Sequence, residues 1–456
     1  MLKRYSIAFL LIVIAATGVL AQSKKDKAEA KKLFDLAEKA YAAKSYREAA
    51  DKYGQSLTLV TNNPTGHYKK GFAHFELQET DAALNEFALA LSQGYKPLEI
   101  YKVRAYLYYQ AKNYDAAADE IGRALALDPK NVLLLKSAGE TNIARGNFAA
   151  AIAPLEKALT LDPKDGDVYY HIAQTRFGQG DTKGQIDAGE KAVANGTRFV
   201  GETYYLLGDG YQKMRRVNDS ATAYQKSISA KPDNYLAYRS LSELYRSDNK
   251  FEDAIKVSKS GLLAFPADGN LYTDLSWYYS LAGKPQEAIV AAQSAIKVLP
   301  NQSLGYTNLC RAYNDAKNYD AAIPACNSAL KLAPNDGETF FYLARAYDFK
   351  KKPDDATKYY RLAVPGLVDY TAKNPAYSDG WYLLGNAYFA DNQRDKAIDA
   401  YKKCLELSPK FSKALFNLGI IYTRKKDKAG ALEQYNRLVN VDPALAVSLK
   451  TEIDRM

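Results

Sequence analysis

Histidine, cysteine, serine and clustered carboxylates are the usual material of metal, nucleophilic and redox chemistry. This chain of 456 residues holds three His and three Cys. His67 and His74 lie seven apart, a spacing that brings two imidazoles to one helical face. A metal site needs three or four ligands and no third is within reach, so both read as core residues standing where other segments carry Tyr. Ser294-Ala-Ile-Lys297 has the SxxK spacing of a nucleophile and its base, but sits in mid-helix without the companion motifs. Asp162, Asp165 and Asp167 lack the alternating ligands of a calcium loop and read as a capped turn. No CxxC, P-loop or GxGxxG is present. The reading is a protein without catalytic residues, metal or cofactor.

With 47% hydrophobic and 25% charged residues, the chain has the balance of a folded, soluble protein. Gly (27) and Pro (16) are unexceptional, and 37 Tyr argue for packed surfaces over low-complexity disorder. The formal charge of +10 is spread too thinly to imply nucleic acid. Residues 1–21 read as an export signal. Lys3 and Arg4 form a positive start, Ile7 to Ala16 is an apolar-and-small run, and Val19-Leu20-Ala21 fits a signal-peptidase site. The run is shorter than a membrane span, which favours cleavage near Ala21 over a retained anchor. The expectation is a periplasmic or secreted protein, with residues 22–29 a basic linker.

Prolines set a period. Pro129 and Pro163 are 34 apart, as are Pro232, Pro266, Pro300 and Pro334 in succession, and then Pro409 and Pro443. The two longer gaps, 69 and 75 residues, equal two periods plus one and plus seven. Position 8 of each period is small, as in Ala37, Gly71, Ala105, Gly139, Cys310 and Gly385. Position 20 is Ala in nearly every unit, from Ala49 and Ala83 to Ala397 and Ala431. Large residues such as Tyr306, Leu309 and Tyr313, or Trp381, Leu384 and Tyr388, recur at helical spacing around them. The pattern resembles the tetratricopeptide repeat family, two antiparallel helices per unit. The resemblance implies an all-α fold, an α-solenoid of about twelve helix pairs wound as a right-handed superhelix. Repeats begin at residues 30, 64, 98, 132, 166, 201, 235, 269, 303, 337, 378 and 412, and the array ends at 445. Residues 446–456 read as a capping helix, polar outward. Repeat five (166–200) has Gln185 and Gly189 where Ala and an aromatic belong, making it the weakest joint. Repeat ten (337–377) carries seven extra residues, with Pro365-Gly366 expected to kink or restart its helix.

No stretch outside the repeats can hold a catalytic domain, and the resemblance implies a scaffold that captures a protein or peptide in a concave groove. Groove-facing positions carry Tyr106, Tyr109, Tyr170, Phe177, Tyr205, Trp277, Phe341, Tyr382 and Phe389. Among them stand Arg239, Arg246, Arg311 and Arg345, with Asn314 and Asn386. Aromatics beside Arg are enriched at interfaces, although the same residues can pack on neighbouring helices. An alternative is an envelope-polymer or glycan-binding accessory that stacks sugars on these rings. Cations recur at the turn inside a repeat: Arg215 and Arg216, Lys350, Lys351 and Lys352, and Arg424, Lys425 and Lys426. Such an edge either meets an anionic envelope component or is simply solvated. Cys310 and Cys326, at positions 8 and 24 of repeat nine, stand level on paired helices. They are disulfide candidates in an exported chain, or two small buried thiols; Cys404 should stay free.

Overall fold

The computed structural model describes residues 24–456. These form 25 helices and no strand, paired as an α-solenoid. Odd-numbered helices are the first of each repeat: α1 (Lys24–Ala42), α3 (Pro64–Glu76), α5 (Pro97–Gln110), α7 (Val132–Ala144), α9 (Gly166–Gln179), α11 (Val200–Lys213), α13 (Tyr235–Ser247), α15 (Gly269–Leu281), α17 (Ser303–Asp315), α19 (Gly337–Phe349), α21 (Ser378–Ala390) and α23 (Ser412–Arg424). Each is followed by its partner: α2 (Tyr46–Leu59), α4 (Thr80–Ser92), α6 (Tyr114–Leu127), α8 (Phe148–Leu161), α10 (Thr182–Ala194), α12 (Val217–Ala230), α14 (Phe251–Ala264), α16 (Pro285–Val298), α18 (Tyr319–Leu332), α20 (Pro353–Lys373), α22 (Arg394–Leu407) and α24 (Lys428–Val439). The array closes on α25 (Pro443–Asp454), which buries Ala446, Leu449 and Ile453 and leaves Val447 exposed among polar neighbours. The chain divides into two compact bodies, one up to Ala223 and one from Tyr224 onward.

The crossing inside each repeat rests on missing side chains. Ala49, Ala83, Ala117, Ala151, Ala254 and Ala288 at position 20 are all completely buried. In repeat six the position is Ser220, whose hydroxyl donates to the Gly208 carbonyl of the facing helix at 2.7 Å. Large position-24 residues fill the space that position 8 leaves. A Cβ on Gly139 would stand 2.4 Å from Leu155 Cδ2, inside its van der Waals radius. In repeat nine the pair is Cys310 and Cys326, which form a disulfide between α17 and α18 with Cα atoms 5.1 Å apart. Cys404 is free and buried, and burial pushes its thiol well above the usual range.

The turn within a repeat is equally regular. Position 15 takes positive φ, from 57° to 74°, in all twelve repeats. Only three of these residues are Gly: Gly146, Gly180 and Gly283. In repeat three, Lys112 donates its N–H to the Tyr109 carbonyl and Asn113 donates to Tyr108, both at 2.9 Å. That is the paired bonding of a Schellman motif. Asn113 then caps α6 by accepting from Ala116 N–H at 3.2 Å. One residue thus ends a helix and the next begins another, worth about 1 kcal/mol at the cap.

Two expectations need correction. The linker at 22–29 is helical from Lys24, because its Lys, Ala and Glu are good helix formers, Asp26 suits the first turn and no Gly or Pro intervenes. The leader at 1–21 lies outside the described residues. Pro365-Gly366 does not restart a helix: α20 runs unbroken for 21 residues, against 14 in α18. Gly366 serves a close approach instead. A Cβ there would meet the Asn335 carbonyl at 2.4 Å, and a Cβ on Gly337 would meet Leu367 N at 2.4 Å, so α20 passes the start of α19 backbone to backbone.

Repeat five carries polar bonds where the small residue at position 20 is replaced by Gln185. Gln185 is buried and donates to the Leu206 carbonyl at 2.6 Å and to Asp209 at 3.0 Å. Gly189 makes room for Leu207. The extra residue lies in a loop where Thr197 and Arg198 both bond Asp167. Burial alone would raise the Asp167 carboxyl, but the Arg198 and Thr197 bonds hold it below the usual range. The division between bodies falls later, inside α12.

Two measurements check this account. Lys112→Gly relieves a left-handed side chain and should raise the unfolding free energy by about 1 kcal/mol, whereas Gly139→Ala should lower it by about 1–3 kcal/mol through overpacking, both read from denaturant titration. Thiol titration of unreduced, denatured protein should count one reactive thiol. Reduction should then destabilise the chain, since closing a loop of about 15 residues is worth about 3 kcal/mol in the chain-entropy model.

Candidate functional site

In the C-terminal body a cavity of about 1950 Å³ is lined mainly by the first helices of repeats seven to twelve, with α20 contributing Tyr360, Leu367 and Tyr370. Its wall is assembled from groove-facing positions, but most of the charged ones are engaged with one another. Arg246 is 9% exposed. Its Nε and Nη2 donate to Glu243 at 2.8 and 2.6 Å, and its Nη1 donates to Asp379 at 2.9 Å. Burial disfavours its charge, yet the bonds from Glu243 and the charges of Glu243 and Asp379 outweigh that and hold the guanidinium firmly charged. Trp277 carries Arg246 at 4.8 Å and Arg311 at 5.7 Å from its ring centre. Arg311 donates Nη2 to Glu338 and faces the Tyr342 ring at 5.1 Å. Arg345 donates to Asp315 at 3.1 Å. Tyr377 stands 6.0 Å from Trp277 and 5.5 Å from Arg246, and its burial pushes the phenol far up.

The remaining candidates of this body divide. Tyr382 packs on Phe411 at 4.9 Å, and Asn386 accepts from Tyr401 at 2.6 Å and from Asn417 at 2.8 Å. Phe389 lies under Arg424 at 4.8 Å. All three line the cavity. Phe341 also lines it but is mostly sunk in the core. Asn314 is buried, donating to the Cys310 and Tyr342 carbonyls at 3.0 and 3.1 Å, and fixes α17 against α19 without lining the cavity. Arg239 is taken by Asp274 at 2.8 Å. Sequence reasoning missed the lining residues Leu304 and Phe349, which are 50% and 55% exposed, and the partners Glu243, Glu338, Tyr377 and Asp379. The one available signal was the long repeat ten, which delivers Tyr377 and Asp379.

In the N-terminal body, Tyr106 is exposed and edges onto Phe75, and Phe177 is exposed beneath Lys213 at 4.6 Å. Tyr109 packs on Tyr114, and Tyr205 is half-buried. Tyr170 is a core residue stacked on Phe199 at 4.5 Å, and burial pushes its phenol up to about 12. Its ring has no free face to offer a partner.

Some of the turn cations are paired and others are exposed. Arg215, Lys351 and Lys426 are the left-handed residues of their turns. Arg216 pairs with Asp219, Lys350 with Asp320 and Lys425 with Asp395, the last two reaching the preceding repeat. Lys352 lies over Tyr347 at 5.9 Å. The possible catalytic groups are similarly occupied. His67 meets Glu86 at 2.6 Å and His74 meets Glu79 at 2.7 Å, two different carboxylates. Ser294 donates to the Val290 carbonyl of its own helix. Asp165 caps α9 and pairs with Lys136. Among the described residues no three His, Cys, Asp or Glu converge on a metal-sized space.

Sequence profiles of the tetratricopeptide repeat match residues 68–132, 137–197, 205–267 and 273–337, and further ones match 378–411 and 400–433. The UDP-N-acetylglucosamine–peptide N-acetylglucosaminyltransferase of Giardia intestinalis is 30% identical over 82 residues, 18% of this chain and 6% of that protein. The photosystem I assembly protein Ycf3 of Acaryochloris marina is 35% identical over 94 residues, 17% of this chain and 57% of that protein. The chain thus spans less than two thirds of either relative. A chain in the crystal structure of the APC/C hetero-tetramer Cut9-Hcn1 overlays with a TM-score of 0.42 at 16% identity, over 93% of this chain and 90% of that one.

Proposed function

The chain belongs to the tetratricopeptide repeat family, and we propose that it is an exported, non-catalytic scaffold whose C-terminal cavity holds a segment of a protein partner. The observation that carries this reading is the cavity itself. Leu304 and Phe349 present half-exposed apolar surface to it, beside charged groups whose partners are already fixed. Apolar surface next to prepaired charge suits a peptide, since the backbone can hydrogen-bond while side chains fill the apolar recess. Recognition of a segment by preset walls needs no chemistry at the bound group. Export rests on the leader at 1–21, and would place the partner in the periplasm or beyond.

A glycan occupant is less well supported. Sugars stack on open ring faces, and Trp277 already carries two guanidinium groups. At the turn edge Lys350 and Lys425 are neutralised by Asp320 and Asp395, which makes those two poor anchors for an anionic envelope component.

The test replaces Leu304 and Phe349 together by Ser and measures capture of partner from the envelope fraction of the native cell. Capture should fall at least tenfold (about 1.4 kcal/mol or more, as expected for two large apolar contacts) with unchanged helicity. Leu263→Ser, at a site 87% exposed and outside the cavity, is the control and should bind normally. Equal capture by the double variant would move the site elsewhere.

A further inference from the structure

Helices α13, α15, α17, α19 and α21 form an arc whose two ends meet. Arg246, in the last turn of α13, bonds Asp379, in the first turn of α21, across 133 residues of sequence. Trp277 of α15 and Tyr377 fill the junction. Helix α21 reaches this far because of the insertion. Seven extra residues lengthen α20 by ~10 Å at 1.5 Å each, and Gly366 and Gly337 let it pass α19 without displacing it.

The junction has the chemistry of a catch. A buried guanidinium with three charge-assisted bonds is costly to leave half-paired, so the closed state is well defined. Yet opening would leave the Glu243 bonds intact, since Glu243 and Arg246 share α13. The cation keeps a partner in either state. The Asp379 bond and the Tyr377 contacts cross the gap.

We propose that the end of α20 and the start of α21 form a strap, caught by Arg246 on Asp379, that closes the cavity and admits a partner segment by its free chain end. The occupant rests on the proposed function; the strap does not. A segment held at both ends within a folded domain cannot thread a closed ring, whereas a terminus can.

The test uses the full chain with Trp381→Phe, which leaves Trp277 as the sole indole of the two in the sequence. Adding Asp379→Lys should raise acrylamide quenching of Trp277 by about twofold or more as the junction opens locally, with helicity unchanged. Asp379→Asn should shift it the same way by less. Unchanged quenching in both variants, or loss of helicity in both, overturns the strap. In the binding arm, a random dodecapeptide library with free ends is compared with the same library displayed in a surface loop of a carrier domain. The chain with Asp379 should enrich binders from the free-ended library alone, and Asp379→Lys from both. Equal enrichment from the loop library by the unaltered chain overturns the free-end rule. Enrichment from neither library by either protein overturns the peptide occupant and with it that rule, while the quenching result decides the strap by itself.

Discussion

Two helices can stand at the short end of the ~8–10 Å packing range only where neither carries bulk at the crossing. Small residues at position 8 of the first helix and at position 20 of the second meet that condition in repeat after repeat, and the exceptions show how it works. Ser220 keeps the approach by bonding the Gly208 carbonyl opposite. Gln185 is fully buried at this position and adds a pair of polar bonds to α11. Cys310 and Cys326 convert the approach into a covalent link. Once the crossing is close, the turn must be short. The left-handed residue at position 15 makes it so, even where that residue is Lys or Arg. Packing, turn geometry and the disulfide therefore descend from one steric condition.

Charge follows from that regularity. Repeats set side by side bring position 14 of one near position 18 of the one before. Arg145 meets Asp115, Lys350 meets Asp320 and Lys425 meets Asp395 in the same way. Surface pairs of this kind add little stability singly. Their effect is on what the surface can offer, since a cation with a fixed neighbour is a poor anchor for an outside anion. Within the cavity the pairs are more buried, and Arg246, Arg311 and Arg345 act first on their own chain.

The repeat frame was legible because it is written in local terms: prolines 34 apart, small residues at fixed offsets and aromatics between them. Each is read within one helix pair. The fate of the groove-facing residues was less legible, because it depends on partners one or more repeats away. Asn314 has the right position to face a ligand, and only the neighbouring Tyr342 carbonyl shows why it turns inward. Tyr170 is claimed by Phe199 in the irregular loop of repeat five. Asp379 is an ordinary first-turn carboxylate until the small rotation between successive repeats, summed over four of them, carries it to Arg246. No window of sequence holds that sum. The seven-residue insertion was visible, but its effect was not, because Pro365-Gly366 suggested a break where the structure has a pass.

Solenoids are quasi-one-dimensional: each repeat feels its neighbours, and unfolding can start at an end and travel inward. The bond from Arg246 to Asp379 changes that arithmetic for repeats seven to eleven. A linear string of four couplings becomes a loop, so the stretch it spans has no free end from which to fray. Repeats that would otherwise peel away one at a time gain a shared fate, and the C-terminal body acquires a cooperative block within an otherwise sequential array.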